Sequence, residues 1–355
     1  MLVYLLLALS PLLIALLVGG CYQTNIDDNP RAKRTFLFWC GLILFLVAAL
    51  RHNSLGSVDS GNYYNHWIRM SGMPWEDLLL TLEVSDFEPG YNISVWVLSR
   101  IFTDPQFLFV LTGILFSTSV CRAVYKNSED SVLSMIMYIS LGLYTFMLQG
   151  LRQAVAISIC LFALEFCKKR KVISFAFLML LAFLFHRTSI IFSIVYFVYG
   201  LKFDHKTKLI MPGVAALLFL ISPILVRYGN EFLDRDYGTV ETSGAIVATA
   251  IYFIIIVLAY IFLNKDNCDE NTTFFIFITV IGTAFYLSRF AGLQIMDRIS
   301  FYFMIGQLMV LPTVIRLFDS RSRYLIKFCV YVLCILLFMY RLNTSFGIEY
   351  MFFWE

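Results

Sequence analysis

Apolar runs of roughly 15–22 residues recur along the whole chain, about the length a helix needs to cross a bilayer core. They cover 1–20, 35–50, 105–125, 131–149, 151–167, 172–186, 188–203, 208–227, 245–263, 273–289, 298–318 and 323–341. A chain this apolar (60% hydrophobic, 14% charged, mean hydropathy +0.78) cannot hide so much greasy surface in a water-soluble core. Spanning structures must satisfy their backbone groups internally, and the pattern selects helices rather than a barrel. The expected architecture is an all-α integral membrane protein of about 12 transmembrane helices, a single polytopic domain over 1–355. The 355 residues leave no stretch for a soluble module with its own core.

The links between runs alternate in charge type. Links 27–34, 122–130, 168–171, 202–208, 264–267 and 316–323, with the adjacent Lys327, carry all ten lysines and 17 of the 27 basic residues. The other set, with 51–88, 149–152, 186–189, 227–238, 288–298 and the tail from Arg341, carries with Arg100 ten arginines and no lysine. The positive-inside bias puts the lysine-bearing set in the cytoplasm and both termini outside. Arginine without lysine on the outer face suggests an anionic ligand there, since the guanidinium fork grips phosphate or carboxylate bidentately. Outward placement of arginine by chance and insertion bias is the alternative.

The segment 51–104 reads as an outer loop with interfacial and re-entrant helices. Pro74, Glu76 and Asp77 open a surface helix over 74–83. An odd number of crossings must separate 51–88 from 122–130, and 105–125 supplies one. The apolar stretch 89–103, which holds Arg100, is then re-entrant or interfacial, unless the basic link 122–130 violates the charge rule. The tail from Phe346 to Trp354 is aromatic, as at a bilayer interface. No cysteine falls in an outer link, so neither a disulfide nor a zinc site is expected. The first run lacks a basic leader and reads as a retained helix. No internal repeat is apparent, which weakens an inverted-repeat transporter. Walker, GxSxG, HExxH and dinucleotide motifs are absent, which argues against an ATP-driven pump.

Polar residues concentrate in the outer links. Residues 51–67 hold Arg51, His52, Asp59 and His66 among Gly56, Gly61, Tyr63 and Tyr64. Tyrosines there could stack on sugar faces, or the stretch is an ordinary loop with a turn at Asp59. Glu83, Asp86 and Glu88 precede the re-entrant segment, placed either for general-base work or to favour a helix N-terminus. Arg152 opens the run at 151, and His186 and Arg187 sit at a helix corner with Thr188 or Ser189 as cap. Such a histidine is either structural or a proton carrier. Arg289 and Arg298 bracket another link, with Asp297 able to neutralise Arg298. Asp234-Arg235-Asp236 reads as a solvated loop rather than a metal site.

Taken in order, Arg51…Asp59, Tyr63, Tyr64; Glu88, Gly90, Tyr91; Arg152, Gln153, Ala156; Ala182, Phe185, His186, Ser189; and Arg298, Tyr302, Phe303 resemble the EpsG-like family of polysaccharide polymerases, relatives of Wzy-type O-antigen and capsule polymerases. The resemblance implies a GT-C-like polytopic architecture in the bacterial cytoplasmic membrane, and glycosyl transfer on its outer face. An undecaprenyl-diphosphate-linked glycan would be moved onto a second lipid-linked repeat unit. It implies no cofactor, no metal and no nucleic acid, with a chain-length regulator as a further candidate partner. Within that frame His186, Asp59 and Glu88 are base candidates, His186 first because a neutral imidazole needs no raised pKa. Arg51, Arg152, Arg289 and Arg298 would hold diphosphate, and Tyr63, Tyr64 and Tyr91 would contact sugar. The rival readings are a flippase for the same lipid, which should carry charges mid-helix, a glycan ligase, which usually shows one very large outer loop, and a glycan O-acetyltransferase.

Overall fold

The computed structural model describes residues 2–53, 58–85, 87–233, 245–291, 294–343 and 350–355, with side chains at most of them. Gly56, Asp86 and the Asp234–Asp236 triplet lie outside the described residues, and of Asp59 only the helical backbone is described.

The described chain is helical throughout, without a strand. Its first helices are α1 (Leu2–Tyr22), α2 (Pro30–Ala49), α3 (Val58–Ser71), α4 (Trp75–Val84), α5 (Pro89–Ile101) and α6 (Gln106–Asn127). Next come α7 (Ser131–Ser140), α8 (Leu143–Gln149), α9 (Leu151–Lys168) and α10 (Val172–Phe185), then a 3-10 helix (Arg187–Ile194) running into α11 (Val195–Val198). The last are α12 (His205–Leu233), α13 (Ala245–Phe262), α14 (Glu270–Leu287), α15 (Gln294–Ser300), α16 (Ile305–Arg316) and α17 (Ser320–Arg341), with a short 3-10 turn (Ser288–Ala291) after α14. α14 is the hub, 83% buried along its apolar window, whereas α17 is 11% buried and peripheral.

Six of these helices (α1, α2, α6, α12, α14 and α17) are long and apolar enough to cross a membrane, and α7 with α8 makes a seventh if counted as one broken span. The protein is a multi-pass membrane protein, and twelve regular crossings are not what these helices show. The departures have local causes. The run 131–149 bends by 51° where Gly142 takes φ +85°, and a side chain there would strike the Arg341 guanidinium. The run 188–203 is 3-10 helix as far as Ile194 and α-helix only over Val195–Val198; eight residues at ~2 Å and four at ~1.5 Å reach only about 22 Å. The run 298–318 is split by turns at 301–304. α9 has the length but carries Arg152, Glu165 and Lys168.

The two classes of link gather at opposite ends. At the lysine-bearing end Lys33 donates to the Ser128 carbonyl (2.9 Å), Arg34 to the Tyr125 hydroxyl (3.1 Å), and Lys168 to Asn127 and Asn271. Lys327 pairs there with Asp130. At the other end Arg51 donates to the Leu148 carbonyl, Arg341 to that of Leu141, and Gln153 to that of Arg298 (2.6 Å). The aromatic tail closes on this same end. Phe352 forms an antiparallel bridge with Arg51, the Tyr350 hydroxyl donates to the Val47 carbonyl (2.9 Å), and the Tyr350 ring meets Tyr4 edge-on.

The segment between α2 and α6 has its own small core. Tyr63, Trp67 and Met70 are buried on α3 at the i, i+4, i+7 spacing of one helix face, against Leu78, Tyr91, Val95, Phe109 and Leu151. Part of the stretch that looked like a polar loop is therefore helix. A helix is present where one was expected at 74–83: α4, with Pro74 as its N-cap. α5 is 13 residues long, about 20 Å at 1.5 Å per residue, too short to span a ~30 Å core. Arg100 does not face lipid alone: its guanidinium lies 3.6 Å from the Trp96 ring centroid and donates to the Met70 and Met73 carbonyls.

α5 reaches α10 through Gly90, where an added Cβ would lie 2.7 Å from the Leu184 carbonyl oxygen and 2.8 Å from its Cβ. Both contacts are with the main body of α10, so neither can swing aside. Gly90→Ala should push α5 off α10 and lower the apparent Tm of the purified protein, at a cost of about 1–3 kcal/mol typical of overpacking. An unchanged Tm would show that the two helices do not meet as described.

Candidate functional site

Glu88 is the centre of the site. Pro89 starts α5 and leaves Glu88 as its N-cap in extended conformation, with no side-chain bond to its own helix. The freed carboxylate turns to two distant elements. Oε2 pairs with Arg152 at the start of α9, and Oε1 lies 3.1 Å from His186 Nδ1. The Arg187 backbone N–H also points at Oε1, at 3.4 Å. All three side chains are nearly buried, at 12% exposure for Arg152, 7% for Glu88 and 10% for His186. Phe87 covers the pair, its ring 4.6 Å from the Arg152 guanidinium, and the buried Tyr63 acts on the same guanidinium electrostatically.

These contacts settle the charge states. Burial pushes the Glu88 carboxyl up, but the His186 bond and the Arg152 charge outweigh it and hold the group near 2. Glu88 is thus ionised and acceptor-only. Burial lowers His186 from its usual 6.5, and the opposing pull of Glu88 does not restore it. The imidazole is neutral at pH 7, and a neutral ring facing a carboxylate through Nδ1 carries its proton there, leaving Nε2 as the basic atom. The ring's hydrogen bond among the described residues is the one from Nδ1 to Glu88, which leaves Nε2 for a substrate.

Arg298 completes the group. Its charge acts on His186, Gln153 of α9 holds its main-chain carbonyl, and its side chain is exposed without an ion pair among the described residues. The Thr188 and Tyr302 hydroxyls meet at 3.2 Å beside it. Thr188 and Ser189 do not cap the helix that follows; His186 occupies that position without a capping side chain.

The other arginines sit elsewhere. Arg289 is ion-paired with Asp297 at 2.5 Å, and burial raises the Asp297 carboxyl against the pull of Arg289 and Arg341. Arg289, rather than Arg298, takes the Asp297 carboxylate, because consecutive residues of a helix do not face each other. Arg51 is 1% exposed, 4.4 Å from the Phe109 ring centroid, with Nε and Nη2 lacking partners; burial pulls it down to about 10. Tyr63 and Tyr91 are buried, and Tyr64 half-buried. Tyr91 stacks on His66 and meets Phe87 edge-on, its hydroxyl unpartnered. His66 is pushed by burial and Arg69 to about 4 and is neutral.

Phe87, Gln153 and Arg341 were given no part in the site by sequence, although Gln153 stands in the ordered series and Arg341 opens the lysine-free tail. Only the adjacency of Phe87 to Glu88 and Gln153 to Arg152 hinted at the first two. Among the described residues no cluster of three metal-ligating side chains occurs.

A polytopic helical chain thus carries a buried Glu–Arg–His cluster at its lysine-free end. The family comparison is specific: the model of the EpsG family matches residues 34–354, and the chain belongs to that family. No curated protein and no solved structure matches the chain.

Proposed function

We propose that the chain is a glycosyltransferase that polymerises lipid-diphosphate-linked repeat units into a surface polysaccharide, on the outer face of the cytoplasmic membrane. Family membership supports a polysaccharide polymerase, and the observation that carries the chemistry is the Glu88–His186–Arg152 contact with Arg298 open beside it. The lysine-free end would be the outer one, with both termini there and twelve crossings if the α7–α8 pair, α9 and the four shorter apolar helices also span.

In this reading His186 Nε2 takes the proton of an acceptor sugar hydroxyl. That oxygen bonds to C1 of the donor glycan as the C1–O bond to diphosphate breaks, through an oxocarbenium-like state. The lipid diphosphate leaves with the electron pair, and a single displacement inverts C1. Glu88 fixes the imidazole tautomer and steadies the imidazolium that forms. Arg298, exposed and without an ion pair among the described residues, takes the diphosphate, and Arg152 adds its field across Glu88. Charge at the helix ends favours chemistry in a cleft over a transport path.

Deleting the gene and resolving surface glycan on a gel tests this. A null that makes only single-repeat material, restored to a ladder by the wild type, fits a polymerase. Arg298→Ala should restore short, sparse ladders, as expected for weakened donor binding. A null with no surface glycan and lipid-linked repeats accumulating on the inner face would identify a flippase instead.

A further inference from the structure

α2 and α6 pack antiparallel, and they leave an open groove of about 470 Å³ between them. From α2 it is lined by Arg34, Phe38, Gly41, Leu42 and Phe45; from α6 by Ile114, Thr118, Cys121, Arg122 and Tyr125. Both sets follow the i, i+4, i+7, i+8, i+11 spacing of a single helix face. The apolar part is open to the side, with Phe38 and Ile114 exposed. Gly41 keeps the groove deep, since a Cβ there would lie 3.1 Å from Cys121 Sγ.

The ends of the groove differ. The end at Phe45 is wholly apolar, and the other is basic. Arg34 is held by its bond to the Tyr125 hydroxyl, 3.1 Å, with its guanidinium 5.6 Å from that ring's centroid. It has no ion pair among the described residues. Arg122 is shared with a second cleft of about 360 Å³ that holds Lys126, Lys168, Lys169 and Asn271. Glu165 is the lone carboxylate lining either cavity, and it is already paired with Arg122 and Lys126. Five cations against one carboxylate leave this end strongly positive.

Eleven residues of helix from Arg34 to Phe45 rise about 16 Å, close to half of a ~30 Å hydrocarbon core. The groove is therefore one leaflet deep, with its charge where headgroups lie. We propose that it is a binding site for one anionic phospholipid of the leaflet at the lysine-bearing end. An acyl chain fills the stripe from Phe38 to Phe45, and the phosphate sits between Arg34 and Arg122. A zwitterionic lipid brings its own cation and gains less from this end, and a lipid of the opposite leaflet would put its phosphate at the apolar end. The site is separate from the Glu88 cluster and does not depend on the polymerase reading.

Native mass spectrometry of the full chain in neutral detergent, titrated with phosphatidylglycerol or phosphatidylcholine, tests this. The wild type should retain one phosphatidylglycerol in preference to phosphatidylcholine. Arg34→Gln should weaken that retention about fivefold, as for loss of one surface cation, and Lys265→Gln, on an exposed link that lines neither cavity, should not. Gly41→Leu should block the groove and lower retention of both lipids; Arg34→Gln, at a position not fully buried, decides the matter if that variant fails to fold. Equal retention of the two lipids, or equal effects of Arg34→Gln and Lys265→Gln, overturns the proposal.

Discussion

His186→Ala should abolish the polysaccharide ladder while the protein accumulates at its normal level. Removing a positioned general base costs about 10²–10⁴-fold in rate, enough to leave single repeats. The fold should tolerate the change, because Glu88 keeps its pairing with Arg152 and the Arg187 N–H. The pH dependence gives the second readout. With the imidazole lowered by burial, wild-type polymerisation in membranes should rise with pH, with its inflection below 6.5, and hold steady through neutrality. His186→Ala should lose that inflection from whatever residual rate survives. The same shift works on stability: the folded value lies below the unfolded one, so this contribution is whole above 6.5 and is lost as pH falls toward the folded value. A His186→Ala strain with a normal ladder would remove the imidazole from the chemistry.

The sequence carried the membrane character and the two-ended distribution of charge, because both follow from composition and local spacing. α1, α2, α6 and α17 fall close to their apolar runs, since nothing interrupts them. The break at Gly142 and the 3-10 winding beyond the corner at His186 were not legible. One depends on Arg341 reaching across 200 positions to the Leu141 carbonyl, and the other on a choice between 3-10 and α geometry that hydropathy does not register. α3 was legible in principle, for Tyr63, Trp67 and Met70 already had helical spacing, but the density of polar residues around them resembled a loop. In the site, Glu88 and His186 each stood out as candidates. Their contact across 98 positions depends on α5 meeting α10 at Gly90, a packing fact that no local pattern states. The four arginines looked equivalent by type and side of the membrane; the structure separates them by their partners.

Arg152→Ala should be the most destabilising single change at this end of the molecule. It strands the Glu88 carboxylate among Phe87, His186 and buried tyrosines, and breaking a buried pair by removing one partner costs about 3–5 kcal/mol. The apparent Tm should fall sharply, and with it the amount of protein in the membrane. If that loss comes from the unpaired charge, removing the charge should relieve it, so the double variant Arg152→Ala/Glu88→Ala should regain more than half of the lost stability. Polymerisation should not return with it, because His186 has then lost the carboxylate that orients its ring. The two readouts separate the structural part of the pair from the functional part, which either single variant would confound. A double variant as unstable as Arg152→Ala would mean that the guanidinium holds this end together through Tyr63 and Phe87 rather than through Glu88. A double variant with a full ladder would mean that the cluster is scaffolding and that the chemistry lies elsewhere along the lysine-free face.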